Sequence, residues 1–230
     1  MIPIVERDEA KNKHYCWKEA RLSIVHEHGR RSPKFGAVFQ GTVDEAGQCL
    51  LNTAIFAGFG PRTQLHAVGD GAPWIAEQVQ DKFGKQGYYL LDFYHVCEYL
   101  AAASPYCAQE QSPKAWLEDQ KTALKNNDYQ QVLQTLEAHL AAEDIKQAPV
   151  GACCRYLSNR KDQLDYKTAL ENDLPIGSGE IESAHQNVIQ ERLKLPGAWW
   201  KATHADSMLA LRIVRANQQW DDYWQQAKAA

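Results

Sequence analysis

Two short apolar runs, Leu65–Gly69 and Tyr88–Leu91, each lead directly into an aspartate, Asp70 and Asp92, and a helix-length segment from Ala72 to Phe83 separates them. Pro73 falls in the first turn of that segment, where proline is tolerated, and Gly84 and Gly87 close it. A strand–helix–strand unit needs a crossover and favours parallel pairing. This arrangement constrains the fold more than any other feature, because it sets two carboxylates at the ends of two buried strands. A carboxylate at the carboxyl end of such a strand can project into a ligand crevice.

The flanking segments extend the pattern. Residues 2–7 read as a strand. Residues 15–27 read as a second, with Leu22 and Ile24 facing inward. Gly29 to Pro33 is a turn, and residues 35–41 form a third strand. These three make an antiparallel meander. Residues 44–58 carry Leu50, Leu51, Ala54, Ile55 and Ala57 at helical spacing, and Gly58, Gly60 and Pro61 end the helix. Another helix is expected over 94–103. Residues 113–170 hold Trp116, Leu117, Leu124, Val132, Leu133, Leu136 and Leu140 at helical spacings and no strand. A breaker at Pro175–Gly179 precedes a helix over about 180–194, and 199–227 reads as one long final helix. The expected class is α/β: a mixed five-stranded sheet with flanking helices and an all-α insertion, in the strand order of the ribonuclease H architecture. The core would comprise 1–107 and 171–230, with the insertion at 108–170.

Composition narrows the partners. The 230 residues are 44% hydrophobic and 23% charged, close to globular averages. Lys plus Arg is 25 and Asp plus Glu is 29, a net charge of −4. This excludes a uniformly basic nucleic-acid binder but leaves room for a local basic patch. No apolar run approaches the roughly 18–20 residues that cross a bilayer, and the first seven residues lack a signal-peptide layout. The six cysteines form no C-x-x-C pair, so reduced, mostly buried thiols in a cytosolic protein are expected.

The candidate chemistry lies at four places. Asp70, in Val68–Trp74, is a hard oxygen ligand suited to Mg²⁺; the local alternative is a cap for the helix that follows. Asp92 and His95 are three residues apart and share a face of a starting helix, where they could bind metal, relay a proton or hold a helix end. Glu180 and Glu182 follow Gly177-Ser178-Gly179 on the flanks of an apolar stripe, and periodicity does not choose between them; a solvated helix-start glutamate is the plain alternative. Arg192, Lys194, Lys201, Arg212 and Arg215 give the C-terminal helices a local basic excess. There Trp199 or Trp200 could stack on a base, against the alternative of a solvated face and packed tryptophans. Trp220, Tyr223 and Trp224 read as helix packing, and the adjacent Cys153-Cys154 pair is poorly spaced for zinc.

The segments GDGAPWI (69–75), LDFYHVCEYL (91–100), PIGSGEIESAHQNVIQERLKLPGAWW (175–200) and WDDYW (220–224), taken in order, resemble the Kra-type insertion-sequence transposases, relatives of the Mutator-like DDE transposases. The opening CWKEARLSIV (16–25) is similar to that family's second strand. The resemblance implies a DDE triad in which Asp70 matches the second Asp and Glu182 the Glu, with Asp92 and His95 matching an Asp-x-x-His signature. It implies two Mg²⁺ ions held by such carboxylates, and DNA cleavage and strand transfer at element ends. Its implied partners are end and target DNA and further copies of the chain, in a bacterial, nucleoid-associated setting. In that family the first Asp lies just upstream of a segment like Ile2–Val5. The expectation is therefore an N-terminally truncated, inactive form. A non-catalytic DNA- or protein-binding remnant and a ribonuclease H-type nuclease are the alternatives.

Overall fold

The computed structural model describes residues 1–30, 32–140 and 148–229. Residue 31 of the expected turn and residues 141–147 of the expected helical segment lie outside them. The chain is mixed α/β and forms two compact units. The first comprises Met1–Gln64, Gln80–Gln86 and Gly179–Ala230; the second comprises Leu65–Val79 and Gly87–Ser178. No described helix is long and apolar enough to cross a membrane.

The first unit opens with strand β1 (Ile2–Arg7) antiparallel to β2 (Lys13–Lys18), then β3 (Ala20–Val25) antiparallel to β4 (Lys34–Phe39). The single strand expected over 15–27 is thus two, broken at Glu19. There the chain leaves the first ladder for the second: the Glu19 carbonyl accepts the Gln40 N–H at 3.0 Å. Helix α1 (Val43–Phe56) follows a capping box. Thr42 Oγ1 accepts the Glu45 N–H while the Glu45 carboxylate accepts the Thr42 N–H.

After the second unit, α8 (Gly179–His185) passes through one π-helical stretch, Gln186–Gln190, into α9 (Glu191–Leu193). The long final helix expected over 199–227 is also two, α10 (Ala202–Ala216) and α11 (Trp220–Ala229). The break is set by a distant partner. The buried Asn217 side chain accepts the Phe35 N–H at 2.8 Å and donates to the Phe35 carbonyl at 2.9 Å, imitating a strand partner on the edge of β4. Gln218 then turns to φ +61°.

The second unit pairs β5 (Leu65–Gly69) with β6 (Gly87–Leu91) in parallel, as the intervening helix α2 (Pro73–Phe83) favours. Helices α3 (Phe93–Cys107), α4 (Pro113–Lys125), α5 (Tyr129–Glu137), α6 (Ala148–Ser158) and α7 (Tyr166–Glu171) complete it. They enclose one core, in which Leu100, Leu124, Val132, Leu136 and Leu157 are fully buried.

The expected five-stranded sheet needs correction. Among the described residues the strands form three ladders of two. One cause is visible on β1, whose second edge is taken: the Val5 N–H donates to the Trp200 carbonyl at 2.8 Å and the Trp200 N–H donates to the Pro3 carbonyl at 3.1 Å. A strand edge already bonded to another segment has no free N–H or C=O for a further strand.

The core of the first unit gathers Ile2, Ile4, Val188, Ile189, Leu193, Ala205 and Leu209. Ile4 is fully buried, so Ile4→Ala should cost about 2–5 kcal/mol in urea unfolding. Ile55→Ala, in a residue 56% exposed, should cost under about 1 kcal/mol.

Candidate functional site

The candidate site of the second unit is built on the ends of β5 and β6. Gly69 and Leu91 are register partners in the parallel ladder, and the Asp92 N–H donates to the Gly69 carbonyl at 2.7 Å. Asp70 and Asp92 therefore leave neighbouring strands side by side, as the strand–helix–strand pattern predicts. Their environments differ sharply.

Asp92 is 6% exposed and caps α3. Its Oδ1 accepts the Tyr94 N–H at 2.7 Å and the His95 N–H at 3.2 Å. Its Oδ2 accepts the Ser178 N–H at 2.8 Å and the Ser178 hydroxyl. Burial pushes this carboxyl up, but the four hydrogen bonds outweigh burial and hold it below the usual carboxylate range. The loop that brings Ser178 to it passes Gly177, where a Cβ would lie 2.5 Å from the Tyr94 ring, so only glycine lets the loop approach this closely. The Phe93 N–H donates to the Ile176 carbonyl and closes the same junction.

Asp70 is exposed, and its Oδ1 accepts the Ala72 N–H at 3.1 Å at the entry to α2. The turn beneath it is gripped by three side chains. The Tyr156 hydroxyl donates to the Asp70 carbonyl at 2.8 Å. Arg160 Nε and Nη2 donate to the Gly71 carbonyl at 2.9 and 2.7 Å, with the guanidinium 4.3 Å above the Tyr156 ring. The Gly71 N–H donates to the Tyr89 hydroxyl oxygen at 3.0 Å. Gly71 sits at φ +84°, and a Cβ there would meet Arg160 Nε and Leu91 Cδ1 at 2.6 Å. Burial first, and the charges of Asp70 and Asp92 after it, push the Tyr89 phenol up to about 12. Tyr156 is likewise pushed up, chiefly by burial, and its ring stacks on Tyr99 at 4.1 Å.

His95 lies in the first turn of α3. Its Nδ1 is 3.1 Å from Glu98 Oε2, and its ring packs edgewise on Tyr99 and Tyr156. The Asp92 carboxylate reaches the backbone of His95, and the imidazole reaches Glu98.

Glu182 belongs to the other unit, exposed in the first turn of α8. Its neighbour Glu180 pairs with His26 Nε2 at 2.9 Å. In the same unit, Trp199 and Trp200 part company. Trp199 is 42% exposed. Trp200 packs on the core with its indole N–H buried and the Arg192 guanidinium 5.4 Å from its ring. Lys194 Nζ lies 6.0 Å from the Trp17 ring, and Lys201 is the exposed residue before α10.

The fit of this site to a divalent cation follows from the oxygen count. Both oxygens of Asp92 are engaged by N–H and O–H donors, which leaves it no capacity for a metal. Asp70 Oδ2 accepts no hydrogen bond among the described residues. Among the described residues no group of three or more His, Cys, Asp and Glu side chains has metal-ligating geometry. The pair at the strand ends therefore does not form a cation cage by itself. Sequence reasoning missed Ser178, Tyr89, Tyr156 and Arg160. The only available signal was the Gly-x-Gly spacing around Ser178, which marks a close backbone approach without naming its target.

These observations define a mixed α/β protein with an acidic ledge at the ends of two parallel strands. Residues 60–224 match the model of the uncharacterised protein family UPF0236, and the chain belongs to that family. No curated protein and no solved structure matches it.

The lowered pKa of Asp92 carries a sign. Its stabilising contribution is complete above the unfolded value near 3.9 and is lost as pH falls through the lower folded value. Asp92→Asn should lower unfolding free energy by roughly 1–3 kcal/mol at neutral pH. Urea titrations should show the gap to the parent protein closing below about pH 4.

Proposed function

We propose that this chain is a DDE-type transposase domain of ribonuclease H-like descent, from a parent protein that acts on DNA phosphodiesters. The observation that carries the reading is the side-by-side exit of Asp70 and Asp92 from two parallel strands, with the Gly-Ser-Gly segment docked on the second. These are the segments by which the sequence resembles the Kra-type transposases. In this reading Asp70, with its open oxygen, and Glu182 are the carboxylates assigned to Mg²⁺. Asp92 and His95 organise the start of α3 and the approach of the Gly-Ser-Gly loop. A divalent ion at such carboxylates supplies charge stabilisation at phosphorus. The chain's own contribution is to hold the Asp70 turn rigid through Tyr156, Arg160 and Tyr89 and to present cations to the phosphate backbone. Element-end DNA, target DNA and further copies of the chain are the proposed partners.

One observation favours a second reading, a DNA-binding protein without catalysis: Asp92 is saturated, and no described trio of ligands stands around Asp70. Manganese uptake in the presence of duplex DNA, followed by paramagnetic resonance, separates the two. The transposase reading expects DNA-stimulated uptake that Asp70→Ala abolishes and Glu182→Ala weakens at least tenfold. DNA binding that persists unchanged in both variants, with no manganese uptake in any form, would establish the second reading and end the first.

A further inference from the structure

The β1–β2 hairpin has two faces of opposite character. Side chains alternate along a strand, and directly opposed residues share a face. Ile2, Ile4 and Cys16 point into the core with Glu6, His14 and Lys18 on the same side. The other side carries Pro3, Val5 and Arg7 from β1 and Lys13, Tyr15 and Trp17 from β2. The bridge between Ile4 and Trp200 brings Trp199 alongside this second face. Its ring meets Tyr15 at 4.7 Å and Trp17 at 6.1 Å, in both cases at steep angles near 60°. Tyr15, Trp17 and Trp199 are 56%, 50% and 42% exposed. Three aromatic side chains grouped on one sheet face and left open to solvent are a costly arrangement for a chain with no use for them.

The charges around the rings share one sign. Arg7 and Lys13 are the only charged residues of that hairpin face, and Lys194 stands over Trp17. The nearby acids are mostly engaged elsewhere. Glu6 lies on the opposite side and pairs with Lys18 at 3.0 Å. Asp8 accepts the Asn12 N–H and lies 3.0 Å from His14 Nε2. Glu19 pairs with Arg21, and Glu191 with Arg212. Glu9 is exposed in the hairpin turn, at the end that Arg7 and Lys13 close and away from Trp17.

We infer that Tyr15, Trp17 and Trp199, rimmed by Arg7, Lys13 and Lys194, form a stacking platform for single-stranded DNA. The inference rests on the proposed DNA-directed function and adds which strand state the protein holds and where. Unpaired bases present flat π-faces that stack on aromatic rings without regard to sequence, and the cations track the phosphates. Paired bases are hidden within the duplex and cannot reach the rings. Charge complementarity separates this occupant from a second copy of the chain, whose net charge of −4 is spread over both signs.

The test is fluorescence anisotropy of the full 230-residue chain with a labelled thymidine oligomer and, separately, a labelled duplex. Tyr15→Ala, Trp17→Ala and Trp199→Ala should each weaken oligomer binding roughly 5- to 100-fold while leaving duplex binding and the circular dichroism spectrum unchanged. Trp17→Phe should recover most of the loss. Lys13→Glu and Lys194→Glu should weaken both ligands and flatten the salt dependence. Ring variants that bind the oligomer like the parent protein, or that lose oligomer and duplex equally, overturn the platform. So do ring variants that change only the oligomeric state in light scattering, which would make the face a protein interface. If the duplex is bound and the rings do not matter, the platform alone falls; if neither DNA is bound, the functional reading falls with it.

Discussion

The buried carboxylate of Asp92 is the constraint around which the second unit is organised. A charge 6% exposed persists only where donors replace its lost water. Here two donors come from the first turn of its own helix and two from Ser178, 86 residues further along. Charge-assisted bonds of this kind are among the stronger ones in proteins. They tie the end of β6, the start of α3 and the Gly177-Ser178 loop into one junction, and the Asp92 N–H adds the end of β5. Removing any one donor leaves part of the charge uncompensated, which makes the junction cooperative.

That junction also divides labour between two residues that look equivalent. Asp92 has become an internal brace. Asp70, one strand over, stays at the surface with an oxygen free. Its carbonyl accepts the Tyr156 hydroxyl from α6, and the next residue, Gly71, is held by Arg160 from the segment after α6 and by Tyr89 from β6. The helices that follow α3 thus reach back to the strand ends and fix the turn that carries the accessible carboxylate.

The first unit shows a comparable division on one hairpin. Ile2 and Ile4 are fully buried among Val188, Ile189, Leu193 and Leu209. The opposite face of the same strands carries exposed aromatics beside cations. The adjacent tryptophans follow the same logic: as residues 199 and 200 run along β1, one ring goes to each side, and only Trp199 remains open.

Much of this was legible in the chain. Apolar runs ending on Asp70 and Asp92 specify two strands, and the helix between them favours their parallel pairing. Trp116, Leu124, Val132 and Leu136 specify a helical core through their spacing. Local signals stop where a residue's partner is distant in sequence. The break at Glu19, the interruption of the final helix at Asn217 and the capture of the β1 edge by Trp200 each depend on a hydrogen bond to a remote segment. Spacing placed Asp92 and His95 on one face, yet only packing decided that Asp92 would be sealed by Ser178 while Asp70 stayed free. Periodicity reports which face of an element is apolar. Which polar group is satisfied, and by what, is decided when remote segments meet, since hydrogen bonds act over about 3 Å regardless of how far apart their ends lie along the chain.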